Sequence, residues 1–452
     1  MRKSPIAATP ETNGGPKNGL QSPTALLPTP EQEEDRRKIN EELAGLAIEI
    51  REAQNASRAE KDPQKKKTIV DEGRKLITLK KDLERKRGAL EAKMTRAMVM
   101  KERPTIRRTF LMKRGNYDDP GEEVARNTPA FLPPLRKKGK IASRMDLAEW
   151  FVDSRNPLTA RTAVNRIWQQ FFGVGLVKTS EDLGSQGEYP SHPELLDYLA
   201  STFIESDWDV KALVRRIVTS RTYRQSSEAE EEDFEKDPEN RMLSRGSRFR
   251  MDAEMIRDQI LATSGLMVDT IYGRSVKPPQ PDGLWKAVTM IGERFRADSG
   301  EAVRRRSLYT YWKRGMPPPQ MTILNAPIRD ACTARRERTN TPSQALLLLN
   351  EGEYVKAARH LAQNAIESKS GTEERIRFAY ETVTSKLPDE TELAVLSKLV
   401  EDLRENYSKN LVLANEICKG ISIEKDEDKA RLASWTMLVN ALYNLDVTKT
   451  RE

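Results

Sequence analysis

Between residues 31 and 100 apolar side chains are few, and they recur with a fixed rhythm. Ile39, Leu43, Leu46 and Ile50 follow at steps of four, three and four, and Leu76, Leu79, Leu83, Leu90 and Met94 carry the same pattern. Such spacing gathers them on one face of an α-helix and leaves charged residues on the other. A polar stretch containing Pro63 separates the two sets, which predicts two amphipathic helices in an antiparallel hairpin. The bland reading is a charged, coiled-coil-like spacer. The functional reading is a docking surface for a partner helix.

The whole chain has 452 residues, 37% hydrophobic and 32% charged. That is enough for two or three domains with a core, plus a charged extended part. A net charge of +8 arises from 77 Lys and Arg against 69 Asp and Glu, so both signs are abundant. This balance permits nucleic acid, anionic lipid or acidic polysaccharide as a partner and selects none. The two cysteines, Cys332 and Cys418, allow one disulfide at most. The longest apolar run, Ala345-Leu346-Leu347-Leu348-Leu349, falls far short of the roughly 20 residues of a membrane helix. Met1-Arg2-Lys3-Ser4-Pro5 has no apolar stretch behind it, so no signal peptide is read here.

Residues 1–30, rich in Pro, Gly, Thr, Asn and Ser, read as a disordered tail. Residues 31–100 are the hairpin. Residues 101–140 form an irregular linker, with turn chemistry at Tyr117-Asp118-Asp119-Pro120-Gly121, a stop at Pro133-Pro134 and a basic run at Arg136-Lys137-Lys138-Gly139-Lys140. Helical signals dominate 141–452. Asn156-Pro157 opens a helix that Gly173 ends, and Asp209 and Asp252 cap two more. Ser191-His192-Pro193-Glu194 and Thr341-Pro342-Ser343-Gln344 have the form of capping boxes. Residues 353–447 read as helical throughout, and Ser307-Leu308-Tyr309-Thr310-Tyr311-Trp312 favours a strand. The expected fold is mainly α: a multi-helical globular domain with a minor β element, preceded by a charged helical hairpin.

Catalytic signatures are lacking. His192 and His360 are the only histidines, and no H-E-x-x-H or paired C-x-x-C motif is present, which argues against the common zinc sites. No C-x-x-C-H occurs, so this chain attaches no c-type haem, and no cofactor is expected in it. Walker, G-x-G-x-x-G and G-x-S-x-G patterns are absent. A triad would need His192 or His360. His192 reads as helix-start packing, with a catalytic role as its rival, and His360 reads as a surface helix residue. Arg257-Asp258 reads as an ion pair at a helix contact.

The unusual feature is arginine in company with amides and hydroxyls. Arg161, Asn165 and Arg166 share one helix, Tyr223 and Arg224 end another, and Arg335, Arg336, Arg338, Asn340 and Thr341 precede a helix start. Guanidinium forks fit carboxylate, sulfate or phosphate, and a helix start adds free N–H groups. The competing reading is that Asp252, Asp258 and Asp330 neutralise these arginines.

Several segments resemble the planctomycete-type domain of unknown function 1553: Asp146-Leu147-Ala148-Glu149-Trp150, Asn156-Pro157-Leu158-Thr159-Ala160-Arg161, Val164-Asn165-Arg166-Ile167-Trp168-Gln169 and Pro190-Ser191-His192-Pro193-Glu194. Thr222-Tyr223-Arg224-Gln225, Pro278-Pro279-Gln280-Pro281-Asp282-Gly283, Pro317-Pro318-Pro319 and Arg338-Thr339-Asn340-Thr341-Pro342 continue it, and the likeness runs in order from about 110 to 452. One departure is Asn325-Ala326-Pro327, where the family usually has Asp-Ala-Pro. The resemblance implies an exported or periplasmic protein associated with cytochrome-c-like domains and neighbouring a sulfatase-like family. It implies that this chain is a C-terminal piece of a longer protein or the product of a shifted start.

The function expected is a binding or assembly module of an exported complex that recognises an anionic polysaccharide or a partner protein. The alternative is a hydrolase acting on an anionic polymer through carboxylates. Nucleic acid is disfavoured, because no recognition motif accompanies the modest basic excess. Ser191 and Thr341 are expected to accept a backbone N–H, each worth about 0.5–2 kcal/mol.

Overall fold

The computed structural model describes residues 23–100, 106–285 and 295–451. The chain divides into two units, Met1–Ala125 and Arg126–Glu452. In the first, β1 (Thr24–Leu27) leads into α1 (Pro30–Ala59) and α2 (Pro63–Ala92), followed by β2 (Thr95–Met98). Each helix starts on a proline behind a capping residue. Thr29 Oγ1 accepts the Gln32 N–H at 3.3 Å, and Asp62 Oδ1 accepts the Gln64 N–H at 2.8 Å. The shielded positions of α1 include Ile39, Leu43, Leu46 and Ile50, and those of α2 include Ile69, Leu76, Leu83 and Leu90. On α2 these steps of seven are the coiled-coil repeat, and α1's steps of four, three and four run close to it. Leu79, expected on this seam, falls off it and is 50% exposed.

Near the open end, Arg36 Nε reaches Glu91 at 3.2 Å and Arg87 Nη1 donates to Asn40 at 3.2 Å. The antiparallel helices bring Leu27 opposite Thr95, so β1 and β2 pair. The expected disordered tail of residues 1–30 is therefore too long. Residues 1–22 lie outside the described residues, while 24–27 are a strand. The expected irregular linker likewise contains a ribbon, β3 (Phe110–Met112) with β4 (Pro120–Glu123), bent at the Tyr117–Pro120 turn.

The second unit opens with α3 (Arg144–Phe151), α4 (Thr159–Phe172), α5 (Pro193–Glu205), α6 (Val210–Val218), α7 (Arg221–Arg224), α8 (Glu231–Lys236) and β5 (Phe249–Arg250). Its basic run is exposed, with Lys138 bonding Glu149 at 2.5 Å and its N–H donating to Asp146. Helices α4, α5 and α6 bury Val164, Trp168, Phe172, Leu199, Phe203 and Ile217 in one cluster. A second cluster is built by α9 (Ala253–Thr263), α10 (Pro319–Ile323), α11 (Pro342–Asn350), α12 (Gly352–Ser368), α13 (Thr372–Thr384), α14 (Glu390–Lys409) and α16 (Asp426–Tyr443), with α15 (Leu411–Ile417) leading into the buried Cys418. Helix α16 is buried nearly all round, the mark of a central helix. Finally β6 (Thr450–Arg451) pairs with β5. Among the described residues no helix is long and apolar enough to cross a membrane.

Arg257 on α9 has no exposed surface. Its Nε and Nη2 grip both oxygens of Glu353 at 2.9 and 2.7 Å, and its other N–H groups reach the carbonyls of Val303 and Arg305 and the Ser307 hydroxyl. Asp258 is not its partner, contrary to expectation, and instead accepts the Ser307 N–H at 2.7 Å. These bonds explain why 307–312 is not the expected strand. With its backbone groups taken by α9, Ser307–Tyr309 is a 3-10 turn, and Val276 makes a lone parallel bridge to Thr310.

Several local readings change for similar reasons. Helix α4 begins at Thr159, because Asn156 accepts the Leu158 N–H in a turn before it. Gly173 ends that helix at a φ of 79°, as expected. Asp209 caps α6 through the Ala212 N–H, whereas Asp252 precedes α9 without a side-chain cap bond. Ser191 turns its N–H and hydroxyl to the Leu176 carbonyl, leaving α5 without a side-chain cap. Thr341 caps nothing either. The Gln344 N–H reaches the Thr341 carbonyl, and the Gln344 side chain serves Ile323 and Thr339. His360 is half-buried rather than a surface residue, with Nδ1 2.6 Å from the Ser264 carbonyl oxygen.

Arg257→Leu leaves Glu353 buried without its partner and is expected to lower stability by about 3–5 kcal/mol in urea unfolding. Adding Glu353→Leu restores much of that loss, and strictly additive losses would refute the coupling. Thr341→Ala is expected to change stability by less than about 0.5 kcal/mol.

Candidate functional site

The segment before α11 runs extended past the end of α4, and its arginines meet different fates. Arg335 pairs with Glu181 at 2.8 Å. Arg336 Nη1 lies 2.6 Å from Glu254 and 3.5 Å from Asp252. Burial opposes its charge, but the two carboxylates prevail and hold the guanidinium above its ordinary value. Among the described residues Arg338 has no carboxylate partner. Its Nη1 donates to the Gly173 carbonyl at 2.6 Å, its guanidinium lies 4.5 Å from the Phe249 ring centre, and its Nε is buried without a partner. Burial pushes Arg338 below its ordinary value.

Arg338 lines two cavities. One is an open groove of about 570 Å³ with Glu181, Cys332, Arg335, Arg336 and Thr339 in its walls. The other is a pocket of about 110 Å³ bordered by Trp168, Gly173, Arg241, Arg248 and Phe249. Arg250, beside them in sequence, reaches Asn340 at 3.3 Å, and its Nη2 is buried without a partner. Burial also pushes down Arg250, Lys449 and Arg451. Arg248 in this region pairs with Asp446, whereas among the described residues no ion pair is seen for Arg250, Arg338 or Arg451.

The other candidates lie apart from this groove. Arg161 pairs with Asp197 at 2.6 Å and lines a separate cavity of about 420 Å³ beside Tyr189. Asn165 is buried, bonding Val177 through both N–H and carbonyl and also Ser180. Arg166 and Arg224 are exposed and make no ion pair among the described residues. His192 Nδ1 contacts the Ser191 hydroxyl at 3.0 Å. Tyr223 packs its ring edge on Phe171 and Phe172 beneath Arg451. Thr341 is exposed, and Asn340 is held by Arg250. The expected closure of one pocket by 161–166 and 223–224 fails, because α5 takes Arg161 and the 177–180 loop takes Asn165. Of the expected neutralisers, Asp252 alone contacts these arginines. Phe249, Arg250, Arg241 and Arg248, which no motif marked, take the places expected for the distant segments.

Residues 143–400, more than half the chain, match the family model described as Protein of unknown function (DUF1553). The chain belongs to this family. No curated protein and no solved structure matches it. The DUF1553 match ends inside α14, yet α16, beyond it, is the central helix of the same core.

The DUF1553 region also holds a mostly apolar cleft of about 500 Å³ with Glu351 and Glu353 in its lining. Glu353 is gripped by Arg257. Glu351 caps α12, its Oε2 accepting the N–H groups of Glu353 and Tyr354 at 2.7 and 3.1 Å. Burial, then the nearby charge of Glu353, pushes the Glu351 carboxyl above the usual carboxylate range. Among the described residues no group of three or more His, Cys, Asp or Glu is placed to hold a metal.

The raised Glu351 carboxyl has a pH consequence. Its folded form binds a proton more tightly than its unfolded form, so its contribution is full below about pH 4.3 and is lost as pH rises through the higher folded value. Wild type should therefore lose stability relative to Glu351→Gln across that window. A pH-independent difference in urea midpoints would contradict this.

Proposed function

We propose that this DUF1553 module is a binding module for an anionic group, carried by a polysaccharide or a partner protein and centred on Arg338. The observation that carries the reading is the Arg338 guanidinium, with a buried, unpartnered Nε where an open groove meets a small pocket. An unmet buried donor favours an acceptor, and a bound oxyanion would also offset the desolvation of the charge. Arg335 and Arg336 are secondary, since carboxylates already occupy them.

The hydrolase reading has less support. General acid–base work needs two carboxylates able to exchange protons with a substrate. In the cleft, Arg257 holds one and backbone N–H groups engage the other. Export, association with cytochrome-c-like domains and a sulfatase-like neighbour as partner belong to the same proposal, and rest on the family resemblance.

Titration of the whole chain with sulfated and carboxylated oligosaccharides should show saturable binding that weakens from low to moderate salt. Arg338→Ala should weaken it about tenfold or more, and Arg336→Ala less, in variants with unchanged circular dichroism. Equal effects of the two substitutions, or no binding at low salt, would remove Arg338 as the centre.

A further inference from the structure

The hairpin of the first unit is long and thinly cored. Each of its helices spans 30 residues, yet among the described residues its buried apolar cluster is Leu43, Leu46 and Leu83. A small core leaves a unit marginal, and self-association is one way to bury more surface.

The charges of the two helices differ in sign. Helix α1 carries eight acidic and five basic residues, and α2 carries five acidic and ten basic. On α1, Asp35, Glu42 and Glu49 stand one residue ahead of the shielded Arg36, Leu43 and Ile50. On the α2 side, Leu79, Lys86 and Lys93 stand one residue ahead of the shielded Lys80, Arg87 and Met94, and Glu72 is the one acid in that series. In an antiparallel pair these two rows border the same flank of the seam. The bonds from Arg36 to Glu91 and from Arg87 to Asn40 cross the opposite flank. Asp35, Glu42, Glu49, Lys86 and Lys93 are exposed and make no ion pair among the described residues. By contrast, Arg37, Arg74 and Arg85 each pair along their own helix. One flank therefore offers an acidic row, a basic row and the half-exposed Leu79.

We propose that this flank is an interface between two copies of the chain, with α1 of each copy against α2 of the other in a four-helix bundle. A two-fold axis parallel to the helices keeps residues level, so Glu42 of each copy meets Lys86 of the other, and Asp35 meets Lys93. A two-fold axis across the helices would set acid on acid and lysine on lysine, which like charges disfavour. The interface stands independently of the arginine reading.

Sedimentation velocity of the whole chain at low salt is expected to show a species of twice the chain mass that dissociates as salt rises. Glu42→Lys and Lys86→Glu should each weaken self-association about tenfold or more. Mixing those two variants should restore it, because every contact between the different chains then joins a Lys to a Glu. Gln54→Lys, a charge change on the opposite flank, should leave association unchanged. A single species of one chain mass at low salt would overturn the proposal. So would a mixture no more associated than its components, the result expected if these charges act only within one hairpin. The mass and its salt dependence are read on the unaltered protein, so they stand even where a variant fails to fold.

Discussion

Arg257 is a charge with no exposed surface, tolerated because every one of its N–H groups has a partner. A buried guanidinium stays in place only when its forked geometry is met in full, and so it fixes what surrounds it. Here it ties α9 to the start of α12 through Glu353 and to the irregular segment 303–307 through two carbonyls and a hydroxyl. Asp258, the next residue, adds the Ser307 N–H. Because Glu353 and Val303 both line the apolar cleft, the shape of that cleft depends on the same buried ion pair.

Positive charge is handled in two ways in the second unit. Arg161 and Arg335 meet carboxylates in exposed pairs that contribute little to stability, and Arg336 meets two in a partly buried site. Around β5 and β6, Arg248 pairs with Asp446, but other cations lie over aromatic rings and backbone carbonyls. Arg451 sits over Phe171, Tyr223 and Phe249, and Arg338 over Phe249. Ring faces attract cations but do not neutralise them. In the proposed reading, Arg338 rather than Arg336 is the centre because Glu254 and Asp252 already meet Arg336.

Much of the helical architecture was legible because periodicity and capping are local. The hairpin seam follows from apolar spacing, Gly173 ends α4 where the left-handed conformation is needed, and Asp209 caps α6. The failures share one cause. Ser191, Thr341 and the 307–312 segment all had suitable local chemistry, and in each case a distant group claimed or displaced the expected hydrogen bond. Leu79 departs from its seam because the shielded positions of α2 run through Leu76, Lys80 and Leu83, which leaves Leu79 on the flank.

For the candidate sites, the sequence determined the inventory: arginines before a helix start, few histidines, no metal or nucleotide motif, and membership of a family with no assigned activity. Side-chain type is a local property and survives translation into structure unchanged. Only the tertiary structure decided which arginines are left with an unmet donor, because that depends on which carboxylates the packing of α4, α5 and α9 brings within reach. It also decided that Glu351 and Gln280, 71 positions apart in the chain, share one cleft. Charge pairing and burial are relations between distant residues, and spacing along the chain carries no record of them.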